Sequence, residues 1–197
     1  MAIKIDRKKG NRFKKQHYVR LVRDAVSYLT HYFGYTKKPY LFETKNDSGT
    51  MMYIAQGCKR NTYGIFYDYE QFERQYACAD PYDQEAVVMF IIAHEMRHYY
   101  QLRQINSKTP REDAALIEQW RTNDKDFISP EEHSSPLAFH KTPLELDASL
   151  FAYVFVAEEL DALMRIEHFF DPSYIHDLEA HYVRLFGKTD EALFPKP

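Results

Sequence analysis

Three residues in one short stretch could act together on a metal ion. The stretch reads His94-Glu95-Met96-Arg97-His98. Positions four apart lie one above the other on an α-helix, so the two imidazoles can reach one metal ion from the same face. Glu95 points to one side of the pair, where it is poorly placed as a third ligand but can reach a water molecule held at the metal. Two histidine ligands with a carboxylate general base are typical of zinc hydrolases. The alternative is a pair of core histidines hydrogen-bonded to their neighbours.

A helix must hold this motif, and the residues around it predict one. Asp80-Pro81 supplies a capping side chain and a proline at the first helical position, so we expect a helix over 81–104. The segment is apolar nearly all round, which favours a buried central helix. The residues responsible are Val87, Val88, Phe90, Ile91, Ile92, Ala93 and Met96. Two histidines and a glutamate in such a helix are costly unless they have partners.

A tetrahedral zinc site with an open catalytic position needs a third protein ligand. The downstream candidates are His133, His140, Glu145, Asp147, Glu158 and Asp161. Glu145 stands out because of the segment that it begins, Glu145-Leu146-Asp147-Ala148-Ser149-Leu150-Phe151-Ala152. Glu145 has another interpretation, since an acid at the third position of a helix started by Thr142-Pro143 is an ordinary capping-box residue. Asp147 is the alternative ligand; it lies about 200° round the helix from Glu145, so the two cannot both face the metal.

The two motifs together resemble the ImmA/IrrE-type metallopeptidases, which are gluzincins of bacterial mobile elements, phages and stress-response loci. The resemblance covers roughly residues 50–165. It implies that Glu145 is the third zinc ligand, that Asp147 is the second acid of the pattern, and that Ser149 supports a metal histidine. Two departures stand out: Arg97 replaces a small residue, and Tyr153-Val154-Phe155-Val156 replaces the usual segment after the second motif. The gap between the motifs is also longer than usual.

The expected reaction is hydrolysis of a peptide bond by metal-activated water, with Glu95 as general base. Metal ligands would be His94, His98 and Glu145, and the cofactor Zn²⁺. A second electrophile should stabilise the oxyanion, and its candidates are His133, His140, Tyr99 and Tyr100. We therefore predict a zinc metallopeptidase that cleaves a specific regulatory protein. The alternatives are a metal-binding sensor of peptidase fold without general proteolytic activity, and a structural helical protein with a fortuitous motif.

The remaining elements predict an α+β, mostly helical fold with a small antiparallel sheet packed on the central helix, and the resemblance implies that this fold is zincin-like. Aromatic and β-branched residues between turn signals indicate a short strand at 40–42 and a hairpin of strands at 51–55 and 62–69. One strand of this hairpin is expected to form a wall of the substrate cleft. Helical spacing or a proline-based start predicts further helices over 13–33, 110–122, 130–139, 143–169 and 173–186.

Composition restricts the class of protein. The chain has 197 residues, 45% of them apolar, which suits one domain over 1–197 with a basic, flexible terminus at 1–12. A net charge of −3 predicts no general affinity for nucleic acid or membrane, although the basic terminus leaves a contact with nucleic acid or an acidic partner as the alternative. Cys58 and Cys78 are too few for a disulfide framework. With no signal peptide or membrane-spanning stretch, we expect a cytoplasmic protein and a peptide or protein substrate.

Overall fold

A computed structural model describes residues 14–45, 50–57, 62–126, 136–159 and 169–186. In chain order the elements are α1 (Lys15–Tyr32), β1 (Tyr40–Glu43), β2 (Met52–Gln56), β3 (Tyr63–Tyr67), α2 (Tyr69–Tyr76), α3 (Pro81–Ile105), α4 (Ala114–Lys125), α5 (Pro136–His140), α6 (Pro143–Val154) and α7 (Pro172–Phe186). A π-helical turn, Phe155–Glu159, continues α6. The fold is α+β and mostly helical, as predicted. Within the described ranges, no helix is long and apolar enough to cross a membrane.

Helix α3 is the centre of the fold and carries the His94–His98 stretch. It begins at Pro81, where the Asp80 side chain accepts a hydrogen bond from the Tyr82 amide, and it ends at Ile105. Helices α1, α4 and α6 and strand β2 all pack against it. Because it is surrounded in this way, even polar side chains such as Glu85, Gln101 and Gln104 are buried. The prediction of a buried central helix is therefore confirmed.

The sheet has the strand order β1-β3-β2. Strands β2 and β3 form the predicted antiparallel hairpin, in which Ile54 lies opposite Ile65. Strand β1 pairs with the other edge of β3 and runs parallel to it, so the sheet is mixed and the prediction of an antiparallel sheet is wrong. Turn residues specify a hairpin between neighbouring strands, whereas nothing local specifies which edge a separate strand joins.

Gly64 of β3 lies under aromatic rings rather than against another backbone. Phe42, Phe66 and Tyr53 come from the three strands, and the ring of Phe66 stacks on both of the others. A Cβ atom at Gly64 would lie 2.9 Å from the ring of Phe42. Glycine therefore lets these rings cover the outer face of the sheet.

Two boundaries differ from the predictions because capping residues compete locally. The segment expected to be a strand up to residue 69 ends at Tyr67, since Asp68 caps α2 by accepting a hydrogen bond from the Gln71 amide. Asp68 and Gln71 have the spacing of a capping box, a signal in the sequence that the prediction missed. Helix α4 begins at Ala114 rather than at residue 110, because Asp113 accepts hydrogen bonds from the first amides of the helix.

The other predicted helix and strand boundaries lie within a few residues of the observed ones where the structure describes both ends. Helix α1 ends next to Gly34, which has the positive φ of 68° expected of a residue that terminates a helix. Helix α6 begins at Pro143 as expected, but its α-helical part ends at Val154, and residues 160–168 of the predicted helix lie outside the described residues. The basic terminus at 1–12 and most of the helix predicted over 130–139 also lie outside them.

Candidate metal centre

Helix α3 brings the imidazoles of His94 and His98 together. The residues are one helical turn apart, and their rings meet edge to face with centroids 4.6 Å apart. The two Nε2 atoms lie 3.0 Å from each other. Both side chains are largely buried, with 15% and 14% of their surface exposed. The pair thus presents two nitrogen donors to one point at the edge of the core.

Helix α6 supplies the third donor. The Glu145 carboxylate places Oε2 3.2 Å from His94 Nε2 and Oε1 3.3 Å from His98 Nε2. Glu145 does not act as a capping-box residue, because the amide of Thr142 donates to the carbonyl of Phe139 instead. The position of Glu145 in the first turn of α6, combined with the packing of α6 on α3, directs its side chain to the histidines.

The separations of the two imidazoles and the carboxylate are close to those expected around a tetrahedral metal ion. Bonds of about 2.0–2.1 Å in tetrahedral geometry separate neighbouring ligand atoms by about 3.3 Å. The two Nε2 atoms lie 3.0 Å apart, and each lies 3.2 or 3.3 Å from a different oxygen of Glu145. His94, His98 and Glu145 form a three-residue group of this kind, and no fourth histidine, cysteine or acid joins it in the described parts of the chain. Three protein ligands with an open position are characteristic of catalytic rather than structural zinc sites.

The charges of Glu145, His94 and His98 strongly affect one another's pKa values. Burial opposes ionisation of Glu145, but the nearby His98 and His94 hold the pKa of its carboxyl well below the usual range. Burial also disfavours the imidazolium of His98, yet the adjacent Glu145 carboxylate outweighs it and raises the pKa of His98 to about 9. Burial lowers the pKa of His94. The metal-free cluster therefore holds a proton at His98, which a metal ion would have to displace.

Glu95 lies between the histidines and the sheet. Its carboxylate accepts a hydrogen bond from the backbone amide of Ile54, in the edge strand β2. Burial raises the pKa of Glu95 to about 8, with a further contribution from Glu145 and an opposing one from His98. Glu95 is absent from the three-residue donor group.

Glu95→Gln should stabilise the metal-free protein, and more so as the pH rises. An unfolded glutamate ionises near its ordinary pKa of 4.5, whereas Glu95 in the folded protein ionises near 8. Ionising the buried carboxyl of Glu95 therefore costs no free energy of folding below pH 4.5. The cost grows between pH 4.5 and about 8 and is constant above about pH 8. We expect urea unfolding to show a gain on the order of 1–3 kcal/mol above about pH 8 and almost none near pH 4.5. A gain independent of pH would contradict this explanation.

Ser149 and Tyr174 lie on the Nδ1 side of His94, away from the Nε2 atom that faces Glu145. The hydroxyl of Ser149 is 3.3 Å from Nδ1 of His94, the position that the family resemblance implies for a supporting residue. Tyr174 of α7 is hydrogen-bonded to Ser149, and burial raises the pKa of its phenol. Tyr174 was missed by sequence reasoning, because it lies far along the chain and no motif includes it.

Among the described candidates for a second electrophile, His140 is the one near the cluster. The charges of Glu145 and His94 both act on its imidazole, although burial has the largest effect and lowers its pKa. Its buried Nδ1 atom has no hydrogen-bond partner among the described residues. Tyr99 and Tyr100 instead donate to the Lys37 carbonyl and the Glu112 carboxylate. The other histidine candidate, at 133, and the acids considered at 158 and 161 have no described side chain.

Asp147, the alternative ligand, faces away from the histidine nitrogens. Its carboxylate receives two hydrogen bonds from Arg97, at 2.8 and 3.1 Å. The guanidinium of Arg97 is buried and lies over the rings of Tyr100, Trp120 and Phe151. Arg97, the least typical residue of the first motif, therefore links α3 to α6 through its hydrogen bonds to Asp147 and is surrounded by aromatic side chains.

Arg97→Ala should strongly destabilise the protein, because it leaves the Asp147 carboxylate half-buried without its cation. We expect a loss of about 3–5 kcal/mol in urea unfolding. Arg121→Ala, which removes an exposed ion pair with Glu118, is the control and should change stability by less than about 1 kcal/mol. The double variant Arg97→Leu with Asp147→Leu should recover part of the loss. An Arg97→Ala variant as stable as the control would contradict the assignment.

Comparison with known proteins finds no matching family model, no matching curated protein and no matching solved structure.

Proposed function

We propose that this chain is a zinc-dependent peptidase with a zincin-like fold, of the gluzincin type that its motifs resemble. The observation that carries the proposal is the arrangement of His94, His98 and Glu145, in which the two Nε2 atoms lie 3.0 Å apart and each lies 3.2 or 3.3 Å from an oxygen of Glu145. Glu95 beside this arrangement adds a base that a purely structural metal site would not need. The chemistry of a peptidase requires both parts.

Zinc is the metal that the donor set suits best, since two imidazoles and one carboxylate match catalytic zinc sites. A bound zinc ion would lower the pKa of water and polarise the carbonyl of the scissile bond. The two histidines would hold the ion through their Nε2 atoms, and Glu145 would hold it through its carboxylate.

Glu95 would accept the proton of the attacking water and deliver it to the leaving amine. Its raised pKa of about 8 places it close to neutral pH, where a group that both accepts and donates is most effective. The hydrogen bond from the Ile54 amide orients the carboxylate. His140, whose imidazole lies close enough to the cluster for Glu145 and His94 to affect its charge, is the described candidate for hydrogen-bonding the developing oxyanion.

Strand β2 suggests how a substrate would lie. It is an edge strand that packs against α3, and its Ile54 contacts the general base. An extended peptide can add to such an edge through backbone hydrogen bonds. This supports a polypeptide substrate, and the low cysteine content supports a reducing, cytoplasmic location.

The proposal is tested by metal analysis and turnover on the same preparation. Protein purified without chelators should contain close to one zinc per chain and should cleave members of a peptide library or a bacterial proteome extract. Removal of the metal with a chelator should abolish cleavage, and added zinc should restore it. Protein that contains no zinc and takes up none would refute the proposal. Zinc without any cleavage would favour the metal-binding sensor instead.

A further inference from the structure

Gln101 connects the metal centre to the pair formed by Arg97 and Asp147. It is fully buried on α3, less than one helical turn after His98. Its Oε1 lies 2.7 Å from Nδ1 of His98, and its Nε2 lies 3.0 Å from the carbonyl of Leu144 and 2.7 Å from Oδ2 of Asp147. One amide therefore contacts a residue of the centre on one side and helix α6 on the other.

The partners of Gln101 permit only one orientation of its amide. A backbone carbonyl cannot donate a hydrogen bond, and both oxygens of the Asp147 carboxylate already accept hydrogen bonds from Arg97. Both neighbours of Nε2 are such acceptors, so this atom must be the NH₂ group and use both of its hydrogens. Oε1 then faces His98 as an acceptor, and Nδ1 of His98 must carry the hydrogen. The lone pair that binds a metal is thereby left to Nε2.

Arg97 completes the chain of contacts. Its two hydrogen bonds to Asp147 fix the rotamer of that carboxylate, so that Oδ2 remains available to Gln101. The aromatic rings around Arg97 hold the guanidinium in place. Each contact from Arg97 through Asp147 and Gln101 to His98 thus fixes the donor and acceptor roles of the next.

We propose that Gln101 is a positioning residue that holds His98 in the tautomer required for metal binding, and that Arg97 and Asp147 hold Gln101 in turn. The proposal rests on the proposed function, since it assigns His98 a metal. It gives the two motifs a second connection besides the metal itself, through residues that are not ligands. It also explains why an arginine can replace a small residue in the first motif, because the side chain of Arg97 is used to orient Asp147.

Gln101→Met removes the amide and keeps a side chain of similar length. We expect Zn²⁺ affinity, measured by competition with a chelator, to fall about 10- to 100-fold, as for other partners of metal-binding histidines. Gln104→Met is the matched control: Gln104 is a buried glutamine of the same helix, but it bonds Tyr35 and Arg111. The control should keep wild-type affinity. Equal affinities for Gln101→Met and wild type would overturn the proposal.

A double-mutant cycle tests whether Asp147 acts on His98 through Gln101. We call the chain of contacts from Arg97 through Asp147 and Gln101 to His98 the relay. The cycle distinguishes loss of the relay from a general loss of stability. Asp147→Asn should weaken zinc binding in the wild-type background but not in the Gln101→Met background, because Asp147 acts through Gln101. Full additivity of the two losses would overturn the relay, and it would favour direct action of Asp147 on the metal.

Imidazole nitrogen NMR of the metal-free protein provides a test that needs no zinc. Nδ1 of His98 should carry a slowly exchanging proton in wild type and in Gln104→Met, and this protection should be lost in Gln101→Met. A His98 Nδ1 without a proton in wild type would overturn the relay even if zinc binds. The expected NMR result in a protein that takes up no zinc would support the relay as an orienting contact and refute the proposed function.

Discussion

Glu95→Gln is expected to lose about 10²- to 10⁴-fold of peptide hydrolysis while retaining its zinc. The side chain keeps its size and can still contact Ile54, but the amide cannot accept a proton. Because Glu95 is not among the three donor residues, the ligand set remains complete. The measurement is turnover of a cleaved peptide together with zinc content on the same sample. Wild-type turnover by this variant would remove Glu95 from the mechanism.

The control for this variant is Glu85→Gln. Glu85 is a buried glutamate of the same helix α3, but it pairs with His17 and lies more than two helical turns before the histidines. The Glu85→Gln variant should retain wild-type turnover at temperatures below its melting temperature. In cells, loss of function with Glu95→Gln would indicate that proteolysis is required, whereas retained function would favour a metal-binding sensor.

Glu145→Ala is expected to weaken zinc binding by more than about 100-fold. This bound follows because loss of a partner outside the ligand set already costs 10- to 100-fold, and Glu145 supplies a ligand atom and the only carboxylate charge of the set. Chelator competition measures the affinity, and metal analysis of native protein should show low occupancy. Hydrolysis should fall in parallel with occupancy and recover only at high zinc concentration.

Two comparisons make this result specific. Glu118→Ala, which removes an exposed acid from α4, should bind zinc like wild type. Asp147→Ala should lose less affinity than Glu145→Ala, because Asp147 contacts Arg97 and Gln101 rather than the open position. The opposite order of the two losses, or full zinc occupancy of Glu145→Ala, would assign the third ligand elsewhere.

Local patterns explain why the sequence predicted helix α3 and the shared face of His94 and His98 well. Capping by Asp80 and Pro81 fixes the start of the helix, and helical periodicity alone brings His94 and His98 to one face. The hairpin of β2 and β3 can also be predicted from the sequence, because turn residues separate two segments typical of strands. Where local signals compete, as at Asp68 and Asp113, the boundaries were misjudged by a few residues.

The sequence by itself determined the helix that presents two imidazoles, the acid beside them and the composition of the second motif. It left open whether Glu145 was a cap or a donor and whether Asp147 competed with it, because a periodic pattern shows which residues share a face but not what that face meets. Only the packing of α6 on α3 decided this, by turning Glu145 to the histidines and Asp147 to Arg97. The same packing produced the contacts of Gln101 and Tyr174, since buried polar groups find partners across elements that are distant along the chain.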